Sequence, residues 1–164
     1  MKTFDVIALG ELNVDLILNR IAGFPEVGKE IFARDMICTL GSSTAIFAAN
    51  VSALGARTAF AGMIGRDAFG ELVRGSLEAR GVDTRYVIEA ADRATGVTVV
   101  MSYGEDRANV TYPGAMEALR FADLDPEIFL SARHIHLSSL FMQPGLLADI
   151  VPILRAAHDG GATV

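Results

Sequence analysis

The sequence predicts an α/β fold built on a mainly parallel β-sheet. Short runs rich in β-branched residues alternate along the chain with segments whose apolar residues recur every three or four positions. Glycines follow most of these segments, as is typical where a helix or strand ends. Two stretches, 17–40 and 95–113, have strand character without an intervening helical pattern, and they indicate a small β-structure beside the main sheet.

The first third of the chain contains extended segments and one helix. The extended segments are expected at 3–10, at 13–21 and, in an irregular form, at 24–40. A helix is predicted over 44–54 with Gly55 at its C-terminal end, because glycine tolerates the left-handed conformation that ends many helices. A strand over 57–65 follows.

The clearest helix is predicted over residues 67–80. Asp67 is a typical N-cap, and Gly81 ends the helix. The apolar residues that share one face are Phe69, Leu72, Val73 and Leu77.

The remaining segments continue the alternation. Strands are predicted at 86–90, 95–103, 108–114 and 132–138, with a hairpin turn at 104–106. A short helix begins near Asp125 with Pro126 at its first position, and a longer helix over 145–159 is expected to kink or break at Pro152. Gly160 and Gly161 end that helix, and the final residues begin another strand.

Composition limits the possible functions. The 164 residues suit one domain, and 51% hydrophobic against 21% charged residues predicts a packed core. A net charge of −6 with no Lys/Arg cluster argues against nucleic-acid partners, and no apolar run is long enough for a membrane span. The single cysteine, Cys38, cannot form an internal disulfide, so a cytoplasmic protein is expected.

The glycine-rich stretch 39–73 does not match the common phosphate-binding motifs. No Gly-Lys-Ser/Thr follows Gly41 at P-loop spacing. Gly62, Gly65 and Gly70 also lack the spacing of a dinucleotide fingerprint. These glycines therefore favour packing and turn roles, or the wall of a pocket for another ligand.

Asn13 and Asp15 form a candidate ligand-binding pair. They lie two apart in an extended segment, so their side chains face the same side, just after a strand that ends at Gly10. A carboxylate accepts hydrogen bonds from neighbouring hydroxyls, and an amide both donates and accepts, which suits a polyol. A solvated sheet edge is the equally weighted alternative on these residues alone.

The combination of motifs resembles the PfkB, or ribokinase-like, family of carbohydrate kinases. The resemblance spans almost the whole chain. It comprises "DVIALGELNVDLI", the Gly41 turn before a helix ending "ANVSALGA", "FAGMIGRDAFGELV" with its Gly-x-x-Gly-x-Asp-x-x-Gly spacing, and the weaker "YPGAME".

The resemblance implies a ribokinase-like three-layer sandwich with a small β-sheet lid formed by about 17–40 and 95–113. Residues 1–164 would be the N-terminal part of this domain. A sugar would lie over the carboxyl ends of the strands, with its hydroxyls bound by Asp15. The other substrate-binding positions implied by the resemblance are Asn13, Gly41, Ser42, Ser43 and Gly114.

Two positions depart from the family pattern. Ser42 stands where a second glycine is usual, and Ile46 stands where an asparagine is usual. A polar contact is therefore lost at Ile46, for which Ser42 or Ser43 could compensate. The identity of the sugar is left open.

The family's catalytic motifs do not occur in residues 1–164. These are Asp-Thr-x-Gly-Ala-Gly-Asp, which supplies an anion hole and a base, and an Asn-x-x-Glu motif associated with magnesium. The resemblance thus implies ATP and Mg²⁺ for the full-length enzyme, with the catalytic residues expected beyond Val164.

The expected partner, besides the sugar, is a second copy of the chain bound through the β lid. Apolar residues expected on the exposed lid are Ile31, Phe32, Val97, Val99 and Met101. No metal site is expected at His134 and His136, because no further ligand stands at suitable spacing. Two alternative functions are a non-catalytic sugar-binding module and a nucleoside kinase with an aromatic residue that stacks on the base.

Overall fold

The computed structural model describes residues 2–164, and these contain eight strands and five α-helices. The strands are β1 (Phe4–Leu9), β2 (Asn13–Asn19), β3 (Asp35–Leu40), β4 (Thr58–Gly65), β5 (Asp83–Ala90), β6 (Gly96–Tyr103), β7 (Asp106–Tyr112) and β8 (Ala132–Leu137). The helices are α1 (Ser43–Ala53), α2 (Ala68–Glu78), α3 (Glu127–Ser131), α4 (Pro144–Ala148) and α5 (Ile150–Asp159).

The main sheet has the strand order β5-β4-β1-β8, and every pair in it is parallel. The predicted α/β class with a parallel sheet is therefore confirmed. Thr163 adds an isolated parallel bridge to His134 at the free edge of β8, as expected for residues that begin a strand.

Helices cover both faces of this sheet and give three layers. On one face, α1 and α2 pack their alanines, Val73 and Leu77 against Phe60 and Ile64. On the other face, α3, α4 and α5 pack against side chains such as Ile7 and Leu9. All eight residues of β4 are buried, as expected for a central strand of a parallel sheet covered on both sides.

A second sheet has the order β3-β2-β6-β7. The β2–β6 pair is parallel, while β2–β3 and β6–β7 are antiparallel. Only three residues separate β1 from β2, so the second sheet begins beside the carboxyl end of β1. Gly104 has a φ of +56° in the two-residue turn between β6 and β7, a conformation that glycine adopts at low cost.

Side-chain alternation gives the second sheet two different faces. One face is polar and carries Asn13, Asp15, Thr98 and Thr111, in neighbouring strands. The opposite face is apolar. Its residues are Val14, Leu16, Leu18, Met36, Cys38, Leu40, Val97, Val99, Met101, Ala108, Val110 and Tyr112.

Three local predictions differ from the structure. Residues 20–34 contain no strand, so Ile31 and Phe32 do not lie on the second sheet. Pro126 precedes the first residue of α3. The predicted helix 145–159 breaks at Asp149 instead of Pro152, because the proline ring excludes the carbonyl four residues earlier, that of Ala148, from a continuous helix.

Candidate functional site

A polar cleft lies between the polar face of the second sheet and the carboxyl end of β1. Its volume is about 480 Å³. It is lined by Glu11, Asn13, Asp15, Ser42, Ser43, Ile46, Thr98, Val100, Arg107, Asn109, Thr111, Ser139 and Met142. The carboxyl edge of a parallel sheet is the usual ligand-binding position in α/β proteins.

Asn13 and Asp15 face the cleft together, as their spacing in β2 predicts. The Asn13 amide nitrogen donates to Asp15 Oδ1 at 3.1 Å and to Thr98 Oγ1 at 3.0 Å. It also donates to the Val14 carbonyl at 3.1 Å. Thr98 Oγ1 lies 3.1 Å from Thr111 Oγ1, so one polar chain crosses β2, β6 and β7.

Asp15 retains acceptor capacity towards the cleft. Within residues 2–164, its carboxylate accepts a hydrogen bond from Asn13 alone, whereas a carboxylate offers about four lone-pair sites. Burial raises the pKa of Asp15, and the Asn13 hydrogen bond and the Arg107 charge partly oppose this effect. The remaining lone pairs can accept hydroxyl hydrogens from a ligand.

The turn before α1 approaches Asp15 closely. A Cβ atom placed on Gly41 would lie 2.3 Å from Asp15 Oδ1 and 2.7 Å from the Asn13 amide nitrogen. Any side chain here would displace the pair, so glycine at this position preserves the arrangement of Asn13 and Asp15. Gly41 thereby brings the turn's backbone against the wall of the cleft.

Ser42 follows with a φ of +69° and caps α1. Its hydroxyl donates to the Glu11 carbonyl at 2.6 Å and accepts from the Ala45 N–H at 3.0 Å. A left-handed backbone costs a non-glycine residue about 1–3 kcal/mol. These two hydrogen bonds offset that cost, whereas the positive φ is the reason that glycine also suits this position.

Glu11 is a buried carboxylate that joins the segments around the cleft. It is 3% exposed. Its Oε1 accepts from the Ser43 hydroxyl at 2.8 Å and the Thr44 N–H at 3.2 Å, while its Oε2 accepts from the Thr44 hydroxyl at 2.5 Å and the Gln143 amide at 3.0 Å. Four donors thus compensate its burial.

The contact with Glu11 determines the direction of the hydrogen bonds that Ser43 makes. Because a carboxylate only accepts, the single Ser43 hydroxyl hydrogen points to Glu11. The Ser43 oxygen lies 2.7 Å from Ser139 Oγ, so the Ser139 hydroxyl donates to it and one lone pair of Ser43 stays available. Ser43 therefore presents an acceptor, and no donor, towards the cleft.

Gly114 is not among the residues that line the cleft. Its φ is +56°, and an added Cβ would lie 2.4 Å from the Ala94 carbonyl oxygen. It packs the segment after β7 against the start of β6, beside Asn13. Ile46 does line the cleft and is 44% exposed, so an apolar side chain occupies that part of the wall.

Several lining residues were not identified from the sequence. Glu11, Thr98, Arg107, Asn109, Thr111 and Ser139 belong to this group. The alternation of polar residues at 107, 109 and 111 in β7 is a signal that could have identified three of them. Glu11 and Ser139 gave no such signal, because their proximity depends on how separate loops meet.

His136 does not line the cleft. Its ring stacks on Phe47 with centroids 3.6 Å apart. Burial and the neighbouring His134 lower its pKa, while Glu11 acts in the opposite direction. Among residues 2–164, no cluster of three or more His, Cys, Asp or Glu side chains is arranged to hold a metal ion. No helix in the described part of the chain is long and apolar enough to cross a membrane.

A parallel sheet with helices on both faces, and a polar cleft between its carboxyl edge and a second sheet, defines an α/β protein with a ligand-binding architecture. The chain belongs to the pfkB family of carbohydrate kinases, whose model matches residues 3–163.

The chain is also similar to individual kinases of known sequence or structure. A nucleoside kinase from Methanothermobacter thermautotrophicus is 29% identical over 136 residues, covering 82% of this chain and 44% of the relative. The fructokinase structure from Halothermothrix orenii has a TM-score of 0.81 at 24% identity, covering 96% of this chain and 55% of that one. Fructokinase with bound ATP from Xylella fastidiosa has a TM-score of 0.79 at 23% identity, covering 97% and 50%.

These similarities confirm the ribokinase-like fold. The chain spans less than half of the archaeal relative and about half of the two solved structures.

Proposed function

We propose that this chain provides the acceptor-binding part of an ATP-dependent carbohydrate kinase, which phosphorylates a hydroxyl of a sugar or sugar acid. The observation that carries the proposal is the Asp15 carboxylate. It is oriented by Asn13, retains free lone pairs and faces a cleft at the carboxyl edge of the sheet. Membership of the pfkB family supports the reaction class.

In this proposal, the chain's own residues bind and orient the acceptor. Asp15 accepts hydrogens from one or two sugar hydroxyls, and Ser43 accepts another. Orientation of this kind lowers the entropic cost of bringing the hydroxyl into line with a phosphoryl donor. ATP with Mg²⁺ would supply the phosphoryl group and neutralise its charge.

The second sheet is proposed to act as a lid. Its polar face forms one wall of the cleft, and only part of its apolar face packs on the main layers, through Val14 and Leu40. Closure over a bound sugar would exclude water, which otherwise competes for the transferred phosphoryl group.

The apolar face of the second sheet is a candidate surface for binding a second copy of the protein. Beyond the part that packs on α2, this face exposes Met36 (66%), Val110 (61%) and Tyr112 (56%). We propose that two copies of the protein bury these faces against each other around a two-fold axis, because one self-complementary patch then covers both copies.

A nucleoside acceptor is the alternative, because the chain is similar to an archaeal nucleoside kinase. A base would be expected to stack on an aromatic side chain, yet none lines the cleft in the described residues. The lining therefore favours a sugar over a nucleoside. A non-catalytic sugar-binding module would bind the same ligands without turnover.

Calorimetry and an ADP-release assay on the intact protein distinguish these functions. Titration with sugars, sugar acids and nucleosides identifies the acceptor class, and ATP-dependent ADP release on adding the bound compound demonstrates phosphorylation. Binding without turnover would favour the non-catalytic module. Preference for nucleosides over every sugar and sugar acid would contradict the proposed acceptor class.

A further inference from the structure

Arg107 lies on the polar face of the second sheet at the outer end of the cleft. It stands on β7 with Asn109 and Thr111, at alternate positions that all line the cleft. It is the only Lys or Arg among the lining residues of the described chain. Its place next to the β6–β7 turn sets it at the open rim.

The Arg107 guanidinium has no partner among residues 2–164. Eight other arginines form salt bridges with carboxylates: Arg20, Arg57, Arg66, Arg74, Arg85, Arg93, Arg120 and Arg133. Within residues 2–164, no side-chain hydrogen bond or salt bridge of Arg107 is found, although an arginine offers five N–H donors. A cation without a partner in a polar cleft is available to a ligand.

Neither carboxylate of the cleft neutralises Arg107 by direct contact. Glu11 is already bonded to donors from Ser43, Thr44 and Gln143. Asp15 lies in one cross-strand row with Thr98 and Thr111. Arg107 is four residues from Thr111, which places its backbone about 13 Å along the strand from that row. The Arg107 charge still acts on Asp15, whose pKa it lowers, but the two side chains form no hydrogen bond or salt bridge within residues 2–164.

We infer that the acceptor carries an anionic group, a carboxylate or a phosphate ester, which Arg107 binds while Asp15 binds hydroxyls elsewhere in the cleft. The inference rests on the proposed function and specifies its substrate class. A guanidinium matches both anions with two parallel hydrogen bonds. Repulsion by the Asp15 carboxylate would oppose the reversed orientation, so the pair of charges also sets the direction of binding.

Matched series of ligands test this inference on the full chain. Calorimetry compares glucose, gluconate and glucose 6-phosphate, and likewise ribose, ribonate and ribose 5-phosphate. We expect an anionic member to bind about ten- to a hundredfold more tightly than its neutral counterpart, as charge-assisted hydrogen bonds commonly provide. Whether the acid or the phosphate ester binds more tightly identifies the source of the charge.

Variants of Arg107 distinguish a direct contact with the anionic group from long-range electrostatic attraction. Arg107→Ala should abolish the preference for the anion, and Arg107→Lys should retain part of it because the charge remains without the bidentate geometry. Arg155→Ala is the matched control, since Arg155 is exposed on α5 and has no salt bridge in the described residues. High salt should weaken anion binding more than neutral-sugar binding.

The outcomes distinguish this inference from the proposed function. Equal binding of neutral and anionic members, or an unchanged preference in a folded Arg107→Ala protein, overturns the role of Arg107. If neutral sugars still bind in a manner that depends on Asp15, the proposed function is retained. Absence of binding by every carbohydrate overturns both.

Discussion

At the scale of single residues, Asp15 determines the proposed binding of sugar hydroxyls. Asp15→Asn should weaken acceptor binding by about 1.5–3 kcal/mol, because charge-assisted hydrogen bonds become neutral ones. The fold should change little, since an asparagine oxygen can still accept the Asn13 bond. Calorimetry measures the affinity, with Asp159→Asn on α5 as a control at an exposed carboxylate.

The pH dependence of binding offers a check on the same residue. Burial raises the pKa of Asp15 above the ordinary value for an aspartate, so protonation in the free protein begins at a higher pH than for an exposed aspartate. Acceptor binding should weaken as the pH falls through this raised pKa. Wild-type affinity in Asp15→Asn would contradict the assignment.

Glu11 has a different role, which is to hold the loops that form the cleft. Glu11→Gln should lower the free energy of unfolding by about 1–3 kcal/mol, because the new amide places a donor against the Gln143 amide or the Thr44 N–H. Chemical denaturation measures this loss. Adding Gln143→Met removes one of the opposed donors, so the double variant should be more stable than the sum of the single effects predicts.

Additivity of the two substitutions would argue against the direct Glu11–Gln143 contact. This test is possible because Gln143 is fully buried and its amide nitrogen also donates to the Ser138 and Ser139 carbonyls. The amide therefore cannot rotate to accommodate Glu11→Gln without losing those bonds.

At the scale of elements, Asp67 connects a helix of the main layers to the second sheet. Its Oδ1 accepts from the Gly70 N–H at 2.8 Å, which caps α2, and from the Thr95 hydroxyl at 2.7 Å. Its Oδ2 accepts from the Thr95 N–H at 2.8 Å, just before β6. One side chain thus fixes the start of α2 relative to the start of β6.

Asp67→Ala should reduce the free energy of unfolding by about 2–4 kcal/mol, from loss of the cap and from the unsatisfied Thr95 N–H. Asp92→Ala is a suitable control, because Asp92 is exposed and no side-chain hydrogen bond of it is found in the described residues. Denaturant unfolding of the two variants compares them directly. Equal stability would contradict the connecting role.

The contribution of Asp67 to the free energy of unfolding should also depend on pH. Burial raises the pKa of Asp67, but the hydrogen bonds from Thr95 and Gly70 prevail, so this pKa lies below the ordinary value for an aspartate. A lowered pKa in the folded state stabilises the protein fully above the unfolded-state pKa of Asp67, and this contribution declines as the pH falls through the folded-state pKa. The stability difference between wild type and Asp67→Ala should shrink over that range.

At the scale of the whole molecule, the apolar face of the second sheet should mediate a dimer. Val110→Glu places a charge within this face, so we expect it to convert a dimer into a monomer without unfolding the chain. Light scattering at micromolar concentration measures the mass. Leu54→Glu is the control, because Leu54 is 88% exposed at the end of α1.

A monomeric wild-type protein would contradict this assembly. So would a dimer that persists in Val110→Glu, since a charge buried at a two-fold contact would face its own copy across the interface.

The sequence by itself determined the order and type of the main elements. Periodicity identified α2, and the Asp67 cap and Gly81 stop set its ends, because these signals act within one or two turns. Strand alternation likewise placed Asn13 and Asp15 on one face. Such features depend on neighbours in the chain, which a sequence displays directly.

The tertiary structure alone decided which distant residues share the cleft. Glu11 meets Thr44 and Gln143 across separations of 33 and 132 residues, and Asn13 meets Thr98 across 85. The structure likewise decided which parts of the predicted extended segments join a sheet, since residues 20–34 contain no strand. Residues far apart in the chain approach one another because the sheet order brings strand ends together, and sheet order is set by packing of the whole chain.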